Sequence, residues 1–191
     1  MHEESTVVEM KRCYWSETNE LFIPYHDKEW GVPVHNDRLL FEMLNLEGAQ
    51  AGLSWLIILR KRAAYKTAFD NYNATKIAAY TDEKRAELMG NPGIVRNRLK
   101  INAAIENAKA YLAAKKEFGS FDNYIWKFVD GVPLTHKQQT EAVEVSQVMS
   151  KELKKRGFKF IGPTICFAYM QAVGMLNDHE PGCFKALPIT V

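Results

Sequence analysis

Over residues 37–55, DRLLFEMLNLEGAQAGLSW, Leu39, Leu40, Met43, Leu44 and Leu46 recur at helical spacing. At about 100° per residue these five share one arc of a helix. Asn36 or Asp37 can start that helix, because a short polar side chain accepts amide hydrogens that the first turn leaves unpaired. Glu47 falls inside the apolar arc, whereas Glu42 and Asn45 fall on the other side. A carboxylate on a core-facing arc is costly unless it is paired, hydrogen-bonded or turned toward a cavity. Glu47 therefore has two readings, an ion pair with a neighbouring element or a functional carboxylate in a pocket.

The pattern predicts further helices over residues 54–69, 74–80, 82–89 behind the cap Asp82, 94–113 and 121–129. Gly90-Asn91-Pro92-Gly93 is a turn. Residues 130–143 are polar and read as a connection. Residues 145–156 form an amphipathic helix, with Val145, Met149 and Leu153 inward. A nearly all-apolar helix runs from Thr164 to Leu176, with Pro163 in its first turn. From Cys13 to Pro33 helical periodicity is weak, and Trp15, Tyr25, His26 and Trp30 sit among turn-forming residues. Such aromatics plug a core or line a site. No stretch alternates strictly as a strand does and no internal repeat is visible, so the class is all-α.

Gly157 and Gly162 mark the corners of a tight turn between the last two helices, with Lys154, Lys155, Arg156 and Lys159 around it. Turn amides and the N-terminus of a following helix can hold a phosphate oxygen. Such contacts position a nucleic acid without reading its sequence. An ordinary pair of packed helices is the alternative.

The chain has 191 residues, 47% apolar and 25% charged, as in ordinary globular proteins, enough for one domain or two small lobes. No apolar run approaches the roughly 20 residues of a membrane span. Residues 1–10 lack the apolar core of a secretory signal and read as a flexible extension. A net charge of +2 announces no nucleic-acid binder. Basic clusters at Arg60-Lys61-Arg62, at Arg96, Arg98 and Lys100, and at Lys151 through Lys159 matter more than that sum. Three cysteines, Cys13, Cys166 and Cys183, form no disulfide framework and point to a reducing, cytoplasmic compartment. Cys166 reads as a small buried hydrophobe. Cys13 with His26 and His179 with Cys183 could complete the four nitrogen and sulfur ligands of one structural zinc ion, tying the two ends of the chain together. Neither spacing is specific alone, and two unconnected cysteines with two surface histidines remain the alternative.

These pieces converge on a known family. RCYW at 12–15, YHDKEWGVP at 25–33, LFEMLNLEGAQAGLSW at 40–55, LKKRGFKFIGPTICFAYMQAVG at 153–174 and NDHEPGC at 177–183 closely resemble the DNA-3-methyladenine glycosylase I family of the helix-hairpin-helix glycosylases. The resemblance runs from about residue 11 to residue 183, leaves residues 1–10 without a role and makes residues 11–191 the glycosylase domain. It implies Zn2+ at Cys13, His26, His179 and Cys183. It implies that Glu47 contacts the excised base, that Tyr25 and Trp55 stack on it, and that Trp15 and Trp30 lie near. It implies that Gly52 and Leu53 occupy the gap left by a flipped nucleotide, and that the turn from Gly157 through Lys159 and Gly162 to Thr164 grips DNA. Related helix-hairpin-helix enzymes carry a catalytic Asp after the hairpin. Asp178 stands nearby, and beside the ligand His179 it reads as a structural or outer-sphere residue.

The implied partner is double-stranded alkylated DNA, with free 3-methyladenine as product. The implied chemistry is monofunctional hydrolysis of the N-glycosidic bond by a monomer, and no lysine beside the pocket residues stands out as a lyase nucleophile. A base must leave the stack to be acted on. Methylation at N3 makes the purine cationic, and aromatic faces and a carboxylate attract a cation. The competing classes are a non-catalytic, zinc-stabilised DNA-binding module, which needs no Tyr25–Glu47–Trp55 set, and a scaffold for small cations, which needs no basic hairpin.

Overall fold

A computed structural model describes residues 10–186. The predicted extension at residues 1–10 lies outside them except for Met10, which is exposed. The helix that dominates the sequence, α2 (Asp37–Gln50), starts where Asn36 Oδ1 accepts the Leu39 amide at 3.0 Å. It runs through the middle of the core and packs against α3 (Trp55–Ala68), α6 (Arg98–Phe118), α7 (Phe121–Trp126) and α9 (Pro163–Ala172). Leu40, Phe41, Met43, Leu44 and Leu46 are buried.

Being covered on several sides changes one expectation. Glu42, assigned to the outer side, is buried; Arg62 of α3 donates to it at 2.8 Å and to Glu29 at 2.6 Å. The buried ion pair on this helix is thus Glu42's, five residues before Glu47.

The weakly patterned stretch from Cys13 to Pro33 holds a short 3-10 turn, Tyr14–Thr18, and a helix, α1 (Phe22–Lys28). Two turns are too few to display a period, and α1 is held by burying Tyr25 and His26. Two small helices follow α3, α4 (Ala74–Ala78) and α5 (Asp82–Gly90). The helix expected over 94–113 begins later and runs longer, because Asn97 accepts the amides of Leu99 and Lys100 and so fixes the start of α6. The expected connection 130–143 ends early, since α8 spans Gln139–Lys155. Before it, β1 (Leu134–Thr135) pairs in parallel with β2 (Leu176–Asn177), a bridge too short to leave an alternating pattern.

The hairpin takes the predicted form. Gly157 ends α8 at φ +97°, and α9 starts behind Gly162 with Pro163 in its first turn. Asn107 of α6 clamps the turn from the side: its Oδ1 accepts the Lys159 amide at 2.7 Å and its Nδ2 donates to the Lys159 carbonyl at 3.3 Å. At the far end of α9, Gly31 and Val34 amides donate to the carbonyls of Gln171 and Val173, stitching the aromatic loop to that helix.

Gly174 makes this stitch possible. It sits at φ +71°, and a Cβ there would lie 2.3 Å from the Val32 carbonyl carbon. Gly52 has a similar φ of +75° with open space around it. Gly174→Ala is expected to cost about 2–5 kcal/mol, from the left-handed backbone plus overpacking, and Gly52→Ala about 1–2 kcal/mol from the backbone alone. Thermal denaturation of both variants checks the ranking.

Candidate active site and metal centre

Glu47 lies in the last full turn of α2 with 3% of its surface exposed, and its Oε2 has no hydrogen-bond partner among the described residues. Burial pushes its pKa up to about 8. Of the two sequence readings the ion pair is excluded, since among the described residues no cation pairs with Glu47 and burial alone accounts for its shift. Glu47 instead lines a cavity of about 480 Å³. Tyr25 and Trp55 line the same cavity, their ring centroids 5.5 Å apart and inclined by 48°. The Trp55 indole N–H is also buried without a partner. Burial, and then the neighbouring Glu47, hold the Tyr25 phenol well above its usual pKa. An unpaired carboxyl, an unpaired N–H and two aromatic faces around one space could receive a flat polar ring, and a carboxylate there would favour a cationic one.

Trp15 and Trp30 complete this wall, edge to face with centroids 5.0 Å apart. His136, Gln139, Gln171 and Asp178 also line the cavity; sequence reasoning singled out Asp178 and missed the other three. Asp178 accepts from Gln139 and Gln171 at 2.7 Å each, and its Oδ1 lies 2.7 Å from His136 Nδ1. With partners on both oxygens it is a structural carboxylate, although it braces the cavity wall rather than the histidine beside it. The parallel β1–β2 bridge aligns these segments, and so short a pairing leaves no sequence signal.

Behind the aromatic wall, Cys13, His26, His179 and Cys183 converge, all buried, with their ligand atoms within 4.8 Å of one another. Cys13 Sγ and Cys183 Sγ each lie 3.5 Å from His179 Nδ1, and Cys183 Sγ lies 3.4 Å from His26 Nε2. The other ring nitrogens are pinned: His26 Nδ1 lies 2.8 Å from Asp27 Oδ1, and His179 Nε2 lies 3.1 Å from the Trp30 carbonyl. That fixes both tautomers with a lone pair facing the sulfurs. Burial pushes the Cys13 thiol up to about 12 and lowers His179 to about 4. The imidazole is thus neutral, as ligation requires, and a dication would supply the charge that stabilises the thiolates. The four residues could hold one metal ion.

At the surface, Gly52 and Leu53 follow α2, and Leu53 is 37% exposed. Lys159 and Thr164 are exposed at the hairpin, and no side chain caps the start of α9. The hairpin abuts α2 beside Glu47, for a Cβ on Gly48 would lie 3.2 Å from the Phe160 carbonyl. Some of the basic clusters are committed elsewhere. Arg156 pairs with Glu117 and Glu152, Arg62 is tied to Glu29 and Glu42, and Lys61 caps the Pro92 carbonyl. Lys154, Lys155 and Lys159 remain exposed around the hairpin.

Comparison with known proteins places these features in context. The family model for methyladenine glycosylase matches residues 15–186. DNA-3-methyladenine glycosylase 1 of Escherichia coli is 45% identical, over 91% of this chain and 96% of that protein. The Haemophilus influenzae DNA-3-methyladenine glycosylase is 44% identical, over 90% and 96%. Among solved structures, a crystal structure of 3-methyladenine DNA glycosylase I is 46% identical with a TM-score of 0.87, over 93% of this chain and 100% of that one. A variant of 3-methyladenine DNA glycosylase I in complex with 3-methyladenine superposes with a TM-score of 0.87 at 34% identity, over 94% and 99%.

The raised pKa of Glu47 has a consequence for stability. The folded state holds this proton more tightly than the unfolded chain, so stability falls as pH rises from the usual carboxyl value near 4.5 toward about 8. Glu47→Gln removes that loss. Its thermal midpoint is expected to exceed the parent's clearly at pH 8.5 and little at pH 4.5, read by calorimetry at both values.

Proposed function

The chain belongs to the methyladenine glycosylase family, and on that premise we propose that it excises 3-methyladenine from alkylated DNA in base-excision repair. The observation that carries the reading is the buried, unpartnered Glu47 between Tyr25 and Trp55 in an open cavity.

Chemistry at a purine's glycosidic bond requires the nucleotide to leave the duplex, at a cost of about a few kcal/mol. Leu53, exposed after α2, fills the gap in the stack, and Gly52 lets the backbone approach. The hairpin holds the DNA backbone through the open amides at the start of α9, the turn at Gly157 and Gly162, Lys159 and the Thr164 hydroxyl. The body of α9 then reaches the cavity, where Ala168 and Gln171 line it, so one rigid helix connects the phosphate grip to the base pocket.

In the cavity, the N3-methylated ring stacks against Tyr25 and Trp55, with Trp15 and Trp30 closing the wall. A neutral adenine gives no return for ionising a carboxyl buried as deeply as Glu47. A cationic ring does, because it adds an opposite charge to the amine donors that both rings carry. Selectivity for the damaged base follows from that difference. The C1′–N9 bond breaks, its electron pair neutralises the ring, and water adds to the oxocarbenium-like C1′ and gives up a proton to solvent. Methylation has already activated the leaving group, so Glu47 serves mainly to recognise and polarise the base.

The metal we assign to the four-ligand set is one structural zinc ion. A tetrahedral ion with Zn–S near 2.3 Å and Zn–N near 2.05 Å sets sulfur–nitrogen separations of roughly 3.5 Å, in line with the 3.4 and 3.5 Å observed between these side chains. Held by these four residues, the ion would have no ligand position left for water and would supply folding energy rather than a reaction step. Among the described residues no helix is long and apolar enough to cross a membrane. With bacterial repair enzymes as relatives, the working form we assign is a cytoplasmic monomer acting on the nucleoid.

The purified protein is expected to carry about one zinc per chain by elemental analysis. Cys183→Ser is expected to lose the metal and to lower the thermal midpoint by about 10 °C or more. The decisive test of function is incubation with N-methylated duplex DNA, with released bases separated. Release of 3-methyladenine with 7-methylguanine left in place is expected, and Glu47→Gln should cut that release by about 10- to 100-fold, the worth of one charge-assisted hydrogen bond. No release by folded, metal-loaded protein refutes the proposal.

A further inference from the structure

Lys100 occupies a position that its own helix disfavours. It lies in the first turn of α6, where unpaired amides make positive charge unfavourable. Burial also lowers its pKa from the usual value. Its partners lie on another helix: Nζ donates to the carbonyl of Ala49 at 2.8 Å and of Ala51 at 2.6 Å. These carbonyls belong to the C-terminal turn of α2 and the residue that ends it, where positive charge is favourable. The carbonyl between them, that of Gln50, accepts the Leu53 amide at 2.6 Å. Three successive carbonyls at the exit of α2 are therefore fixed, two of them by one ammonium. The fixed segment carries Gln50 and leads to Trp55, both in the base cavity, with Gly52 and Leu53 between them at the surface. Lys100 itself sits among Asn45, Ala49, Tyr65 and Ile101, outside the cavity that holds Glu47, so it is not placed to attack a sugar there.

We propose that Lys100 is a positioning residue for base extrusion, tethering the exit of α2 so that Leu53 is held ready to enter the DNA stack. The inference rests on the role given to Gly52 and Leu53 above. A loop free to fold back would lose part of its contact with the gap to conformational entropy, whereas a capped loop is ordered before DNA arrives. The tether matters only where a stack must be invaded, so the effect depends on the strandedness of the substrate.

The test compares the parent with Lys100→Met, Leu53→Ala and the double variant on methylated duplex DNA and on the same strand unpaired. Lys100→Met is expected to keep its metal and to bind free 3-methyladenine, read by tryptophan fluorescence, within about twofold of the parent. It should lose about tenfold in excision from duplex and no more than about twofold from single strands, and the double variant should be no slower on duplex than the worse single variant. Lys100→Arg, which keeps charge and donors, should restore most of the duplex activity. Should Lys100→Met fail to fold, Lys100→Gln carries the same comparison. Equal losses on both substrates, or none on either, while Leu53→Ala is selectively slow on duplex, would overturn the tether alone. A Leu53→Ala variant with normal duplex activity would overturn the wedge and the tether together.

Discussion

One unpaired carboxyl sets the terms for this molecule. Glu47 is carried into the core by α2 and, among the described residues, meets no cation there. Glu42, five residues earlier on the same helix, is satisfied by Arg62. The same helix thus holds a buried acid that is paired and one that is not. The first fastens α2 to α3, and the second keeps a free acceptor in a cavity at a cost in stability. Much of the remaining architecture can be understood as support for that exception. The Tyr25–Trp55 pair borders it, α9 walls it, and the hairpin buttresses α2 beside it.

The metal-ligand set belongs to the same support. His179 packs edge-on to Trp30 with centroids 4.7 Å apart, Trp30 packs on Trp15, and Trp15 reaches Tyr25 at 6.4 Å. A ring contact path therefore runs from the four ligands to the cavity. Trp30 lies in a turn beyond α1, with little regular backbone structure to orient it. A metal held by residues 13, 26, 179 and 183 would supply that orientation by joining distant parts of the chain. Arg12 adds to it by holding Asp27, which in turn holds His26.

Charge is distributed by the same economy. Basic residues that look alike in sequence divide into structural and free ones. Arg62 and Arg156 satisfy carboxylates and Lys100 caps a helix, while Lys154, Lys155 and Lys159 stay exposed where the hairpin turns. A net charge of +2 conceals this division, because it counts cations without regard to what they face.

The elements most legible in the sequence were those fixed by short-range physics. Asn36 as a cap, the apolar arc of α2, Gly157 at a helix end and Pro163 in a first turn all follow from local steric and hydrogen-bonding rules. The long family motifs added candidate ligands and pocket residues that spacing alone left open, and Cys13, His26, His179 and Cys183 do converge. The sequence could place Glu47 on a buried face. It could not say that Arg62 would choose Glu42 and Glu29, or that Lys100 would serve a helix other than its own. Short elements such as α1 and the β1–β2 bridge were likewise invisible, since two turns or two residues cannot establish a period. Which charges are neutralised, and which acid is left free, depend on contacts between residues far apart in the chain, and only the tertiary structure decides those.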